Sequence, residues 1–307
     1  MSPSFLSRWP GSAWRGVAQR LVCAAGLAGL AGLAGFACLI PAGLRAQEAT
    51  PPSAPDGQPV YVVAVVPQFP AVDIFRTWSP ILTRLGQQVG ARFELRVARD
   101  IPTFEAEVMA GKPDFAYMNP FHQVRAKRAQ DYIPLVRDSK LLTGILVVRK
   151  DDPIRSPRQL AGQSLAFPAP NAFGASLLIR AHLAEIERID INPVYTRTHT
   201  NAYRHTLSGK TQATGGLRAT LEREPPEVQA GFRMLLETPG SAPHPLSAHP
   251  RVPAQVRQAV QAAMLKLARE PALGASFHEV PMAQPVQADY RRDYFPLERL
   301  KLDRYAE

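Results

Sequence analysis

Between residues 156 and 216 the chain twice repeats one pattern: a short apolar run, an abrupt polar or proline-bearing junction, then apolar residues at helical spacing. The first copy reads SPRQLAGQSLAFPAPNAFGASLLIRAHL and the second INPVYTRTHTNAYRHTLSGKTQATGG. Their apolar runs, residues 164–167 and 194–198, stop at Pro, Asn, Thr or His, which predicts a strand, a loop and a helix each time. In open α/β sheets ligands sit at such junctions. Helix N-termini there expose unpaired N–H groups and a partial positive charge, so the default guest is a small anion.

The flanking chain extends the same alternation. Residues 60–66 are a continuous apolar run, as a buried parallel strand requires. After Pro67, the residues Phe75, Trp78, Ile81, Leu82, Leu85 and Val89 recur at helical spacing up to Gly90. Phe93, Leu95 and Val97 alternate as a strand, another helix ends at Gly111, residues 115–117 make a short strand, and Asn119-Pro120 opens the next helix. Residues 141–148 predict the strand that crosses into a second lobe, where Ser156-Pro157-Arg158-Gln159 has the pattern of a helix start. Residues 232–236 predict the return strand. Val256, Val260, Met264 and Leu267 then mark a long helix over residues 252–267 that belongs to the first lobe again. The expectation is an α/β protein of two lobes, one built from residues 59–142 and 240–307, the other from 143–239.

Composition changes the picture at the N-terminus. Residues 1–46 hold Arg8, Arg15, Arg20 and Arg45 with no acid, enclose an apolar run over 21–40, and end at Ala46. That is the pattern of a secretory signal, and an uncleaved membrane anchor is the alternative; a lipoprotein through Cys38 is discounted, because the chain stays apolar after it. The Pro-rich residues 47–58 read as a tether. Cys23 and Cys38 are the chain's two cysteines, so the exported part has no thiol for a disulfide, a zinc-thiolate site or a nucleophile. Removing residues 1–46 takes four arginines and lowers the formal charge from +10 to +6. A mild basic excess suits anionic ligands but is more often a matter of solubility and arginine-rich usage, and nucleic acid would need a clustered stripe that the sequence does not show.

Several stretches carry a resemblance: VVPQFP (65–70), GKPDFAYMNPFH (111–122), the block from Thr143 to Ser176, THTNAY (198–203) and APHPLSAHP (242–250). In this order and spacing the chain resembles the phosphate, phosphite and phosphonate substrate-binding proteins of ABC importers, a branch of the type II periplasmic binding proteins. The resemblance implies a periplasmic monomer with two lobes, each a mixed sheet flanked by helices, and a ligand cleft between them. It also implies a small oxyanion as ligand and an ABC permease as transient partner. One departure is plain: family members carry a Ser-Thr-Ser-Gly loop whose hydroxyls and amides hold the phosphoryl oxygens, whereas this chain offers NAFGAS.

The candidate ligand residues are Tyr117, Asn119, Thr143, Asn171, Ala172, Phe173, Gly174, Ser176, His199, Thr200 and Tyr203, and each has a plainer alternative. Tyr117 and Asn119 either face the cleft or are a strand-end aromatic and an ordinary cap before Pro120. Thr143 and Gly144 are a ligand contact or simply a hinge. Residues 171–176 offer backbone N–H groups but few hydroxyl donors. His199 aligns with a histidine that the family places beside the ligand; on its own it reads as a capping or surface residue. Residues 214–216 either bring backbone to the cleft or make a turn, and Arg218 is a cleft cation or a solvated side chain. His244 and His249 read as structural, and the spacing of His199 and His205 fits no common metal template. No cofactor motif, nucleophile elbow or paired acid for general catalysis is present. A sensor that serves a membrane kinase is the alternative to an import receptor, and an enzyme on the same fold a distant one.

The export pattern generates a direct test: the secreted protein should begin at or near Gln47. Intact mass of the periplasmic form checks it, and a mass retaining residues 21–40 would mean an anchor.

Overall fold

The computed structural model describes residues 57–306, so the expected signal over 1–46 lies outside the described residues, as does the tether apart from Gly57 and Gln58. The first segment runs β1 (Val60–Val65), α1 (Ala71–Val89), β2 (Arg92–Val97), α2 (Ile101–Met109), β3 (Phe115–Tyr117), α3 (Pro120–Gln130) and β4 (Ile133–Asp138). A second segment follows: β5 (Gly144–Arg149), β6 (Ser164–Phe167), a helical stretch over residues 173–187 whose middle turn is α4 (Leu178–His182), β7 (Asn192–Tyr195) and α5 (His199–Leu207). It continues through β8 (Ala213–Leu217), α6 (Arg218–Leu221), α7 (Pro226–Ala230) and β9 (Phe232–Glu237). The chain then returns with β10 (Pro245–Ala248), α8 (Ala254–Leu267), α9 (Gly274–Glu279) and β11 (Pro285–Gln287).

These strands make two sheets, ordered β11-β4-β10-β3-β1-β2 and β7-β6-β8-β5-β9. Both are mixed. In the first, β1 lies parallel between β2 and β3, and β10 is inserted antiparallel between β3 and β4. In the second, β6 is parallel to β7 and β8, while β5 is antiparallel to β8 and β9. Each sheet buries its apolar strands against its own helices, giving two lobes with separate cores.

Local chemistry accounts for most boundaries. On α1 the buried stripe is Ile74, Trp78, Ile81, Leu82 and Leu85, and Gly90 ends the helix in the left-handed conformation that glycine adopts at no steric cost. Phe75, expected on that stripe, lies one position round from it and is 45% exposed. Asn119 caps α3, its Oδ1 accepting the His122 N–H at 2.8 Å, with Pro120 in the first turn where no donor is missed. The helix start expected at Ser156 is a single 3₁₀ turn, Pro157–Leu160, in which the Gln159 side-chain oxygen accepts the N–H groups of Arg155 and Ser156. The strand expected to reach residue 198 stops at Tyr195. Thr198 instead caps α5, its Oγ1 accepting the Asn201 N–H at 3.1 Å.

Two chain crossings join the lobes, and they pair with each other. Leu142 and Ser241 exchange both backbone hydrogen bonds at 2.9 Å, and Thr238 bonds Gly144 through its N–H at 2.8 Å and its hydroxyl at 2.9 Å. The helical stretch that starts at Phe173 is pressed onto this hinge. A Cβ at Gly144 would stand 2.1 Å from the Gly174 carbonyl oxygen, and one at Gly215 in β8 would stand 2.1 Å from that of Ala175. Gly215 and Gly216 are therefore central-strand residues and not a turn, Gly215 meeting the backbone of the helical stretch and Gly216 the Tyr203 ring.

Because the obstacle at Gly215 is main chain, Gly215→Ala should lose roughly 2–3 kcal/mol of unfolding free energy through overpacking. Gly274→Ala, which meets open space at the start of α9, should be neutral or slightly stabilising. Urea titration of both variants checks the contrast.

Candidate functional site

A cavity of about 760 Å³ lies between the lobes. Its first-lobe wall is made by the end of β1, Gln68 and Phe69, the first two turns of α1, Tyr117, and residues 278–281 at the end of α9. The facing wall is the first turn of α5, residues 198–201, together with Thr220, Arg223 and Glu224. The strand-to-helix junctions after β1, β3 and β7 thus converge on one space, which is where a two-lobed sheet fold offers backbone N–H groups to a guest.

The charges on these walls are unequally engaged. Arg76 holds both Glu279, at 2.7 Å, and Asp73, at 3.4 Å, across the mouth. Glu224 is buried and its Oε1 accepts the Thr200 hydroxyl at 2.6 Å. Arg223 lies over the Phe69 ring, 4.5 Å from its centroid, and donates to the Glu279 carbonyl at 2.5 Å; among the described residues no carboxylate pairs with it. It is a cation with capacity for an anionic guest. His199 contributes no charge at neutral pH, since burial pushes its imidazole down to about 4; its Nδ1 stands 3.3 Å from the Thr220 hydroxyl.

Tyr117 stands out on the first-lobe wall. Its ring packs on Trp78, with centroids 5.0 Å apart, and stacks on His244 at 5.5 Å. The residue is 2% exposed, and its hydroxyl is buried without a hydrogen-bond partner among the described residues. Such an orphan group costs free energy in the empty protein. Burial, with Asp138 nearby, pushes this phenol well up, so it remains a neutral O–H donor.

Of the residues singled out in the sequence, Tyr117, His199 and Thr200 line this cavity, and eight do not. Asn119 is buried between the lobes, donating through Nδ2 to the Asn171 carbonyl at 3.1 Å. Asn171 donates in turn to both carboxylate oxygens of Glu105, at 3.1 and 2.9 Å. Ala172, Phe173 and Gly174 are packed at the hinge, where the ends of the Leu142 and Leu217 side chains close over Gly174. Ser176 is buried, and its Oγ accepts from Arg180 at 3.1 Å. Thr143 donates to Glu237 at 2.8 Å on the surface, where Arg218 pairs with the same carboxylate. Tyr203 is buried under Gly216, and its hydroxyl bonds Thr220 and the Leu217 carbonyl. His249 packs edge-on to Tyr132 and accepts the Arg251 N–H, which is structural work.

The sequence reading missed Arg223, Glu224 and the aromatic wall. Gln68 and Phe69 were present in the VVPQFP stretch. Arg223 stood in LEREPPEV, which has the composition of a solvated surface turn, and no local signal separates it from Arg218.

Two mixed sheets flanked by helices, paired crossings and a cavity between the lobes define a type II periplasmic binding protein. The family model described as ABC transporter, phosphonate, periplasmic substrate-binding protein matches residues 63–294, more than half of the chain, which therefore belongs to that family. A comparison with curated protein sequences found no match. Among solved structures, a binding-protein component of an ABC phosphonate transporter from Pseudomonas aeruginosa is 14% identical with a TM-score of 0.70, covering 80% of this chain and 86% of that one. PhnD1 from Prochlorococcus marinus in complex with methylphosphonate is 13% identical with a TM-score of 0.69, covering 80% and 98%. A Xanthomonas citri protein bound to ATP is 16% identical with a TM-score of 0.70, covering 81% and 99%. At these identities the likeness is one of fold.

The buried histidines generate a pH test. Burial lowers His199 to about 4 and His244 to about 3, against 6.5 for an unhindered imidazole. Between those values the unfolded chain binds more protons than the folded one, so stability is full above about pH 6.5 and falls as the solution is acidified. Each histidine contributes a slope of about 1.4 kcal/mol per pH unit. His199→Gln should remove one such slope between pH 5 and 6, read from chemical unfolding at several pH values.

Proposed function

We propose that this protein is an exported solute receptor that closes on a small oxyanion-bearing ligand and presents it, chemically unchanged, to an ABC permease. In this reading residues 59–142 and 240–307 form one lobe and 143–239 the other. The ligand contacts are Tyr117, His199 and Thr200, to which the geometry adds Arg223. The observation that carries the reading is the Tyr117 hydroxyl: among the described residues it is a buried donor with no partner, on a residue that lines a cavity whose opposite wall holds an arginine that no described carboxylate pairs. An anionic oxygen satisfies both, and the surrounding N–H groups at the start of α5 add a favourable field.

The cavity also supports a view of size. It is far roomier than a bare phosphate needs and falls within the range of sites that hold whole organic ligands. Methylphosphonate is bound by one structural relative and ATP by another, so both belong in a screen with phosphate, phosphite, sulfonates and small carboxylates. Since the residues at 171–176 are engaged in packing, simple alkylphosphonates should bind more weakly than organic oxyanions that reach Tyr117 and Arg223 together.

A thermal-shift screen identifies the ligand, because one present at a hundred times its Kd adds about 2.7 kcal/mol of stability. Tyr117→Phe and Arg223→Met should each then weaken binding about ten- to a hundredfold, the value of one charge-assisted hydrogen bond. Tyr117→Phe should leave the melting temperature of the empty protein unchanged or raised, since it deletes an unsatisfied hydroxyl. Calorimetry showing normal affinity in both variants would place the ligand elsewhere.

A further inference from the structure

On the second-lobe wall of the cavity, His199 at the start of α5 faces Thr220 in α6, and the hydrogen bonds around the Thr220 hydroxyl fix how the imidazole meets a guest. That oxygen has four polar neighbours: the Leu217 carbonyl at 2.9 Å, the Tyr203 hydroxyl at 2.9 Å, and the Leu217 N–H and His199 Nδ1, each at 3.3 Å. It carries one proton to donate. Donated to the Leu217 carbonyl, that proton leaves the oxygen free to accept from Tyr203, Leu217 and His199, which makes four bonds, two of them short. Donated to His199, it leaves Tyr203 to reach the Leu217 carbonyl at 3.2 Å, which makes three bonds with none shorter. The first arrangement wins by one bond and by length, and it places the proton of the neutral ring on Nδ1. All these groups belong to the second lobe, so the assignment holds however the lobes are set.

The Nε2 atom of His199 is then a bare lone pair. It bonds no group among the described residues, it is not sealed in the interior, and the residue lines the cavity. Burial pushes the ring down to about 4 with no carboxylate opposing the shift, so at neutral pH the imidazole does not supply the missing proton itself. The neighbouring groups do not supply it either. Glu224, on the same wall, is a further acceptor, and His244, whose charged form His199 disfavours, is itself neutral. His244 also stacks on Tyr117, so a head group that satisfies the Tyr117 hydroxyl meets His199 as well.

We propose that His199 meets the guest as a hydrogen-bond acceptor, and that the cavity therefore selects oxyanions that keep an O–H, the hydrogenphosphate and hydrogen-phosphonate class, over those with none, such as sulfate and sulfonates. This rests on the oxyanion reading of the cavity and narrows it. An oxyanion with no proton sets lone pair against lone pair at Nε2. One that keeps a proton donates it there, while its other oxygens accept from Tyr117 and Arg223.

The tautomer is read without any ligand. Two-bond nitrogen–proton correlation spectra, with His199→Asn to assign the signal, should show Nδ1 protonated and Nε2 bare. Calorimetry at neutral pH should then find inorganic phosphate about a hundredfold or more tighter than sulfate, which has the same shape and no proton to donate. Methylphosphonate should weaken about tenfold for each pH unit above its second ionisation, because only its monoanion is competent. Phosphate, which keeps an O–H as monoanion and as dianion, should not follow that slope. His199→Phe should bring sulfate to within about tenfold of phosphate; should it fail to fold, His199→Asn, too short to reach the guest, takes its place. A ring protonated on Nε2, or sulfate bound as tightly as phosphate, overturns this inference and leaves the oxyanion receptor standing. If phosphate, methylphosphonate and sulfate all fail to bind, the oxyanion reading falls and this inference with it.

Discussion

Both passages of the chain between the lobes are made by backbone that pairs with itself. Leu142 with Ser241 and Gly144 with Thr238 form a short two-stranded strap, and with each donor satisfied by the other crossing neither passage is a loose linker. Relative motion of the lobes is thereby confined to a bend of that strap. The fit of Gly174 against Gly144 sets where the bend lies, because backbone touches backbone there and nothing bulkier can intervene. The position of the second wall of the cavity, and with it the approach of Arg223 to Phe69, follows from this hinge.

Given that frame, the cavity's electrostatics come from an unequal use of charge. Its acids are engaged inside the protein, Asp73 and Glu279 by Arg76 and Glu224 by Thr200, while the His199 imidazole is neutral by burial. Arg223 is left with a ring and a carbonyl.

The fold was legible in the sequence because its determinants are local. The continuous run in β1, the stripe of α1 closed by Gly90, the Asn119-Pro120 cap and the return strand near residue 232 all report on nearest neighbours along the chain. Of the cavity lining, the candidate residues read from the sequence include only Tyr117 and residues 199–200, where such signals coincide with it. Asn171 read as a ligand group because an amide at a strand-to-helix junction is a good anion donor. Whether a carboxylate from α2 already fills that role depends on how the lobes fold together, and no periodicity encodes it. The small residues of FGAS invited a backbone cradle for the same reason, yet their smallness serves Gly144 and Gly215 on the facing strands. Arg223 was hidden by its composition, since a charged, proline-rich turn looks alike whether it faces water or a cavity.

The orphaned Tyr117 hydroxyl has a consequence for discrimination. A wall of purely apolar groups separates two guests of similar shape only by their area, which is a small difference. A buried donor without a partner changes the comparison from gain against smaller gain to relief against persistence of a penalty. A guest that presents an oxygen at that point cancels a cost the empty protein already bears, whereas an isostere with a methyl group in the same place leaves the cost standing and adds its own unfilled contact. Under the proposed function the phenol rejects as well as attracts, and it does so as a neutral donor, because burial pushes its titration well up.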